Sequence, residues 1–303
     1  MLSLHTNSAA LSAQNSISRT QSSLSTSQTR LSTGFRVNSA MDDAAGLQIA
    51  TRLKAQTSGM AMAMRNTQNS ISMLQTAEGA LDETTTILTR MKDLATQAAD
   101  ASSTTDDRSA MQAEYSALTN ELSNIIGNTS FGGSKLFAGA AAADDPTGAT
   151  LMNTNLTFQI GASASEKMTV DLSGAITAMT GKITPATTGF VFDGTAGTAT
   201  GATDANITTA TAANGNITAL TDAINSVGSL RSQLGAVSNR LDHVYNNLSN
   251  VSTNTKAATG RIMDTDFAAE SSNMTSSQML LQAGTAMLKQ SNSTSSLVMS
   301  LLQ

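Results

Sequence analysis

The sequence predicts a mainly α fold: a long antiparallel helical hairpin or coiled-coil bundle, with one β-hairpin and a small, irregular outer segment rich in Thr, Ala and Gly. Three observations predict it. From Val227 onward, Leu230, Leu234, Val237, Leu241, Val244, Leu248 and Val251 alternate at steps of three and four, the seam of a helix packed lengthwise on other helices. Both ends of the chain carry apolar ladders: Leu4, Leu11, Leu24 and Leu31 read as a seven-residue register with a polar miss at Ser18, and Phe267, Met274, Leu281, Leu288 and Leu302 as another with a miss at Ser295. Between residues 154 and 172 the apolar period falls to two, the mark of a hairpin.

Taken in order, the first helix is expected over residues 7–33, with Gly34 as its C-terminal stop. At 1.5 Å per residue it is about 40 Å long, and its Ser, Thr and Gln content makes it a poor helix in isolation. Residues 35–50 read as a connector in which Ser39 and Asp42 resemble a capping box. A long helix follows with Leu74, Leu81, Leu88 and Ala95 in heptad register, ending near Ala101. Residues 102–107 form a turn and cap cluster, and the next helix carries Met111, Tyr115, Leu118, Leu122 and Ile125 before stopping at Gly127 and Asn128. The hairpin pairs Leu156, Phe158 and Ile160 with Met168, Val170 and Leu172 across a loop at residues 161–166.

Residues 173–215 read as a small exposed β element or loop. The C-terminal long helix is expected from about Asn216, with a stammer where Ile224, Val227 and Leu230 are spaced by two successive steps of three. A break near Thr259 and Gly260 then precedes a terminal helix. The expected domains are residues 1–34 plus 261–303, a terminal coiled coil; residues 35–172 plus 216–260, a helical domain with the hairpin; and residues 173–215, a reduced, surface-exposed variable segment.

Composition narrows the function. Aromatics are 3% and charged residues 13% of 303 residues, too few for a dense aromatic core or an ordinary charged surface. With no Cys, thiolate metal sites, disulfides and Cys nucleophiles are excluded, and His5 and His243 are the only imidazoles. No paired carboxylates suggest acid/base chemistry, so no catalytic residue, cofactor or metal site is assigned. A net charge of −5 without a basic, aromatic-studded patch gives no reason to expect nucleic acid. No stretch approaches the roughly 18 apolar residues of a membrane span, and the N-terminus lacks the pattern of a cleavable secretory signal. The 16 methionines suit irregular helix interfaces.

Six segments carry a further signal. They begin with Leu31-Ser-Thr-Gly-Phe-Arg-Val-Asn-Ser-Ala-Met-Asp-Asp-Ala-Ala-Gly-Leu-Gln-Ile-Ala50, Asn66-Thr-Gln-Asn-Ser-Ile-Ser-Met-Leu-Gln-Thr-Ala-Glu-Gly-Ala-Leu81 and Asn128-Thr-Ser-Phe-Gly-Gly-Ser-Lys-Leu-Phe137. At the other end stand Leu234-Gly-Ala-Val-Ser-Asn-Arg-Leu241, Arg261-Ile-Met-Asp-Thr-Asp-Phe-Ala-Ala-Glu270 and Gln282-Ala-Gly-Thr-Ala-Met-Leu-Lys-Gln290. In order and spacing these segments resemble the signatures of bacterial flagellins. The resemblance implies a structural, non-enzymatic subunit of the extracellular flagellar filament, exported unfolded through the flagellar type III apparatus and assembled by coupled folding of its termini. A hook-filament junction protein of the same superfamily is the alternative.

By the same resemblance, Leu4, Leu11, Leu24, Leu31, Phe267, Met274, Leu281, Leu288 and Leu302 are implied to build the filament's inner tube. The implied partners are further copies of the chain, an export chaperone and the export apparatus, and the filament cap and junction proteins. Thr89-Arg-Met-Lys-Asp-Leu-Ala-Thr-Gln97 is similar to the segment recognised by the flagellin-sensing Toll-like receptor. Carried over, Arg90, Leu94 and Glu114 are implied to serve subunit packing and receptor recognition, Arg90 and Leu94 sharing one helical face. Thr187, Thr188, Thr195, Thr198 and Thr200 stand either as acceptors for O-linked sugars or as part of a plainly soluble linker.

Overall fold

The computed structural model describes residues 7–137, 155–187 and 206–301. In chain order the elements are α1 (Ser8–Thr33), α2 (Ala44–Ala98), α3 (Thr105–Asn128), β1 (Ser130–Phe131), β2 (Ser134–Lys135), β3 (Leu156–Gln159), β4 (Lys167–Val170), α4 (Ser173–Ala186), α5 (Ala210–Met263) and α6 (Phe267–Leu301). They fall into two compact units, residues 1–58 with 251–303, and residues 59–250.

In the first unit α1 packs lengthwise and antiparallel on α6. Asn7 caps α1 by accepting from the Ala10 N–H at 3.0 Å, while its amide donates to the Ser291 carbonyl at 3.2 Å, so one residue starts α1 and sets its register on α6. At the opposite end Arg30 meets Glu270 at 3.6 Å. Along α1 the positions turned inward are Ala10, Ala13, Ile17, Thr20, Leu24, Ser27 and Leu31; along α6 they are Glu270, Met274, Ser277, Leu281, Gly284, Leu288 and Ser291. Both series alternate steps of three and four, so the seam is heptad in period, with large residues on one register and mostly small or polar ones on the other. A Cβ added to Gly284 would lie 2.9 Å from Cγ1 of Ile17.

This seam corrects the ladder expected for α1. Leu11 and Leu24 are 13 residues apart, one short of two heptads, so Leu11 is rotated by about 100° from the seam and is 57% exposed. The α6 ladder keeps its phase through Met274, Leu281 and Leu288. Its first member, Phe267, is 65% exposed because α1 has already turned away at Gly34. Leu4 and Leu302 lie outside the described residues.

Gly34 ends α1 with φ 74° and donates to the Arg30 carbonyl at 2.8 Å. The chain then pairs with the α5–α6 connection: Phe35 forms a β-bridge with Asp264, Arg36 donates to the Met263 carbonyl at 2.6 Å, and Thr265 donates to the Gly34 carbonyl at 3.0 Å. Beneath it Val37, Ala50 and Met263 form a small core of their own. Ser39 does not cap the next helix. Asp42 instead closes the turn by accepting from the N–H groups of Asn38 (3.0 Å) and Ser39 (2.8 Å), and Asp43 caps α2 by accepting from the Gly46 N–H at 2.8 Å. Helix α2 thus begins at Ala44, inside the stretch expected to be connector.

The second unit holds the main core. Leu74, Leu81, Leu88 and Ala95 of α2, at most 1% exposed, pack with Tyr115, Leu122 and Ile126 of α3 and with Leu220, Val227, Leu230, Leu234 and Leu241 of α5. Arg231 ties α5 to Asp82 of α2 at 2.9 Å. The turn between α2 and α3 carries a reciprocal capping box: Thr104 Oγ1 accepts from the Asp107 N–H, and Asp107 accepts from the Thr104 N–H. The Arg108 guanidinium then donates to the Ala98 and Asp100 carbonyls, both at 2.8 Å, satisfying groups at the end of α2. Strands β3 and β4 pair antiparallel with Leu156 opposite Val170 and Phe158 opposite Met168, all four buried, as the alternation predicts.

Four further expectations are corrected here. The stretch after β4 is helix α4, whose Ile176, Met179 and Ile183 are buried at helical spacing; Thr and Gly between them mask the period. The stammer in α5 is absent because Ala223, fully buried, occupies the seam and Ile224 lies beside it. The inward positions then run 216, 220, 223, 227, 230, 234, 237 and 241. Helix α5 also starts earlier, at Ala210, and runs without a break through Gly260 to Met263.

The tip of the β3–β4 hairpin lies against α2 at Gly59, where an added Cβ would come 2.7 Å from the Ala162 Cβ and 3.1 Å from its Cα. Gly79, exposed on the same helix, has open space around it. Gly59→Ala is therefore expected to destabilise the protein by about 1–2 kcal/mol, overpacking outweighing a helix-propensity gain of about 1 kcal/mol. Gly79→Ala should stabilise it by about 0.5–1 kcal/mol. Urea titrations of the two variants, read by circular dichroism, check the opposite signs.

Candidate assembly surface

The pair α1–α6 buries only a narrow seam, and the side chains turned away from it are not those of an ordinary surface. Leu11, Phe267, Met279, Leu280 and Met287 stand 57–69% exposed on these two helices. Ala9, Ser12, Ala13, Ser16, Ile17 and Thr20 of α1 and Leu280, Ala283, Gly284 and Met287 of α6 line an open groove of about 450 Å³ along one side of the pair. Several hydroxyls of α1 donate within their own helix: Thr20 to Ser16, Ser22 to Ser18, Thr26 to Ser22 and Thr29 to Ser25, at 2.9–3.1 Å. A face of exposed apolar groups and internally engaged hydroxyls is suited to contact with other protein.

Sequence reasoning missed half of this seam. Ser277, Gly284 and Ser291 are small or polar, so they leave no mark in the apolar pattern. The signal was their seven-residue spacing between Met274, Leu281 and Leu288.

A second group lies on α2 and α3. The Arg90 guanidinium donates to one Glu114 carboxylate oxygen from Nε at 2.8 Å and from an Nη at 2.6 Å, joining two residues 24 positions apart. Both side chains are about half exposed, 55% and 45%. Leu94 is not on that surface. It is 3% exposed and belongs to the core with Leu88, Met91, Ala95 and Ala98, because four residues advance the helix by about 40° past a full turn, enough to carry it inward. The surface therefore presents an ion pair without the adjoining apolar contact expected of Leu94.

Of the threonines expected as sugar acceptors, Thr187 is fully buried, its hydroxyl donating to the Ile183 carbonyl at 2.8 Å at the end of α4. It is not available to a glycosyl donor. Thr188, Thr195, Thr198 and Thr200 lie outside the described residues.

The perturbed acids are structural. The Ser39 and Asn38 N–H groups hold the Asp42 carboxyl below its ordinary range, the Thr104 side chain and N–H do the same for Asp107, the Ser102 hydroxyl for Asp100, and the Ser173 hydroxyl for Asp171. Burial pushes the Tyr115 phenol up. No group of three His, Cys, Asp or Glu among the described residues is placed to hold a metal ion. Among the same residues no helix is long and apolar enough to cross a membrane.

Two family models match the chain: the bacterial flagellin N-terminal helical region over residues 4–142, and the bacterial flagellin C-terminal helical region over residues 217–302. The chain belongs to the bacterial flagellin family. It is 38% identical to the flagellin of Bacillus subtilis over 99% of each chain, and 34% identical to flagellin A of Vibrio anguillarum over the full length of both. A flagellar hook-associated protein structure from Vibrio parahaemolyticus superposes with a TM-score of 0.55 at 18% identity, covering 74% of this chain and all of that one, a likeness of fold alone. As a flagellin the chain is a structural subunit that polymerises into the helical flagellar filament used for motility. None of these matches favours the junction alternative.

Capping acids give this flagellin a defined acid response. Their folded pKa values lie below the unfolded value of about 3.9, so the stability they add is present above that pH and is lost as pH falls through the folded values. Thermal melts between pH 7 and pH 2 should show a fall in Tm beginning near pH 4. Asp107→Asn should lower Tm at pH 7 and flatten the fall, whereas Glu114→Gln, at a half-exposed pair, should shift stability at pH 7 by no more than about 1 kcal/mol.

Proposed function

We propose that subunits join the filament through the α1–α6 pair, which forms the wall of an inner tube, and that this step is the coupled ordering and burial of the two termini. The observation that carries the reading is the apolar face left open on a helix pair too thin to have a core of its own. Such helices have low intrinsic propensity, so a chain carrying them threads unfolded through a narrow export channel and gains order when neighbouring copies cover the exposed residues. Each large apolar side chain so covered contributes about 1.5–3 kcal/mol.

In this reading Leu24, Leu31, Met274, Leu281 and Leu288 hold α1 to α6, while Leu11 and Phe267 face other subunits. Before export an assembly chaperone and the type III apparatus engage the termini; outside the cell the hook-filament junction and the filament cap bound the polymer. The protein performs no catalysis, and Thr188, Thr195, Thr198 and Thr200 serve as acceptors for O-linked sugars. The Arg90–Glu114 pair serves packing between subunits, and in the released subunit it is the charged part of a surface for the flagellin-sensing Toll-like receptor.

Removing residues 271–303 should leave a soluble protein that retains the second unit's helix signal and does not sediment with filament seeds. Filaments formed by the truncated chain would refute the proposed joining step. Arg90→Ala should reduce receptor signalling by soluble subunits at least about tenfold, the scale of one lost charge-assisted pair at an interface. Unchanged potency would rule out the receptor role and leave the packing role standing.

A further inference from the structure

The exposed apolar face of the terminal pair is unusual in chemistry as well as extent. Two of its most open residues are thioethers on α6: Met279 at 59% and Met287 at 69% exposure, with Leu280 at 63% beside them. Met287 lines the groove with Leu280, Gly284, Ile17 and Thr20. Elsewhere Met41 at 97% and Met62 at 50% are also open, whereas Met60, Met73, Met91, Met111 and Met179 are at most 8% exposed. Peroxide attacks thioethers in order of accessibility, so these two sulfurs are among the first to react in a free subunit, whether the pair is formed or frayed.

The reaction is an oxygen transfer. The Sδ–O bond forms as the peroxide O–O bond breaks; sulfur is oxidised by two electrons, and hydrogen peroxide is reduced to water. The product replaces an apolar, flexible side chain with a strong dipole whose oxygen requires a donor once covered. The nearby Thr20 hydroxyl is already committed to the Ser16 carbonyl at 2.9 Å.

We propose that Met279 and Met287 are oxidation-sensitive assembly sites: sulfoxide at either one bars a subunit from the filament, and joining the filament shields both from further oxidation. The inference rests on the reading that neighbouring subunits cover this face. It makes exposure to peroxide a brake on filament growth.

The test uses full-length protein partly oxidised with hydrogen peroxide, then offered to filament seeds. Peptide mass spectrometry of pellet and supernatant should find sulfoxide at positions 279 and 287 depleted at least about tenfold in the pellet. In preformed filaments both should oxidise at least about tenfold more slowly than in free subunits. Met279→Leu/Met287→Leu, treated equally, should sediment as well as its untreated form. Equal sulfoxide in pellet and supernatant, or loss of sedimentation by the treated double variant, overturns the inference while the joining surface stands. Equal oxidation rates in filament and free subunit overturn the joining surface itself, and the inference with it.

Discussion

The antiparallel register between α1 and α6 is the constraint on which the first unit depends. Two residues at either end hold it: Asn7 on Ser291, and Arg30 on Glu270. Between them the seam alternates large side chains with small or polar ones, and at Gly284 the Ile17 side chain packs into the space that a Cβ would take. A seam of this composition buries too little to stabilise two long helices of low propensity. Its weakness is consistent with a subunit whose final stabilisation comes from its neighbours.

The ends of that pair are handed on by backbone chemistry. Gly34 takes the left-handed conformation that lets the chain leave α1, and the segment after it pairs with the α5–α6 connection through backbone hydrogen bonds. Residues far apart in sequence are joined there by main-chain groups, with a small core of Val37, Ala50 and Met263, flanked by Leu47 and Ile262, below. The second unit is built otherwise: fully buried Leu residues of α2 and α5, a capped α2–α3 turn, and a hairpin tip seated where Gly59 allows close approach.

Much of this was legible beforehand, for physical reasons. Leu74, Leu81, Leu88 and the α5 ladder are large apolar residues in a plain period, so they announced their helices and their burial. The hairpin was visible as Leu156 and Phe158 against Met168 and Val170. What misled was any position where a small residue does a large residue's work. Ala223 holds the seam position that the apolar pattern assigns to Ile224, and Ser277 and Gly284 fill the seam between the apolar rungs Met274, Leu281 and Leu288. In α4, Ile176, Met179 and Ile183 were diluted by Thr and Gly until the helix read as loop. Leu11 shows the converse: a leucine near the expected place, one residue out of phase, points outward.

The sequence by itself determined that the chain is a long-helix protein with an apolar ladder at each end and a hairpin, because periodicity is a property of residue order alone. It also carried the signatures that match flagellins. Only the tertiary structure decided which side of each helix is used. A period says that a stripe exists, but whether Arg90 faces Glu114, whether Leu94 is reachable, and whether Met287 is covered depend on what lies opposite. That is set by packing between segments up to 284 residues apart.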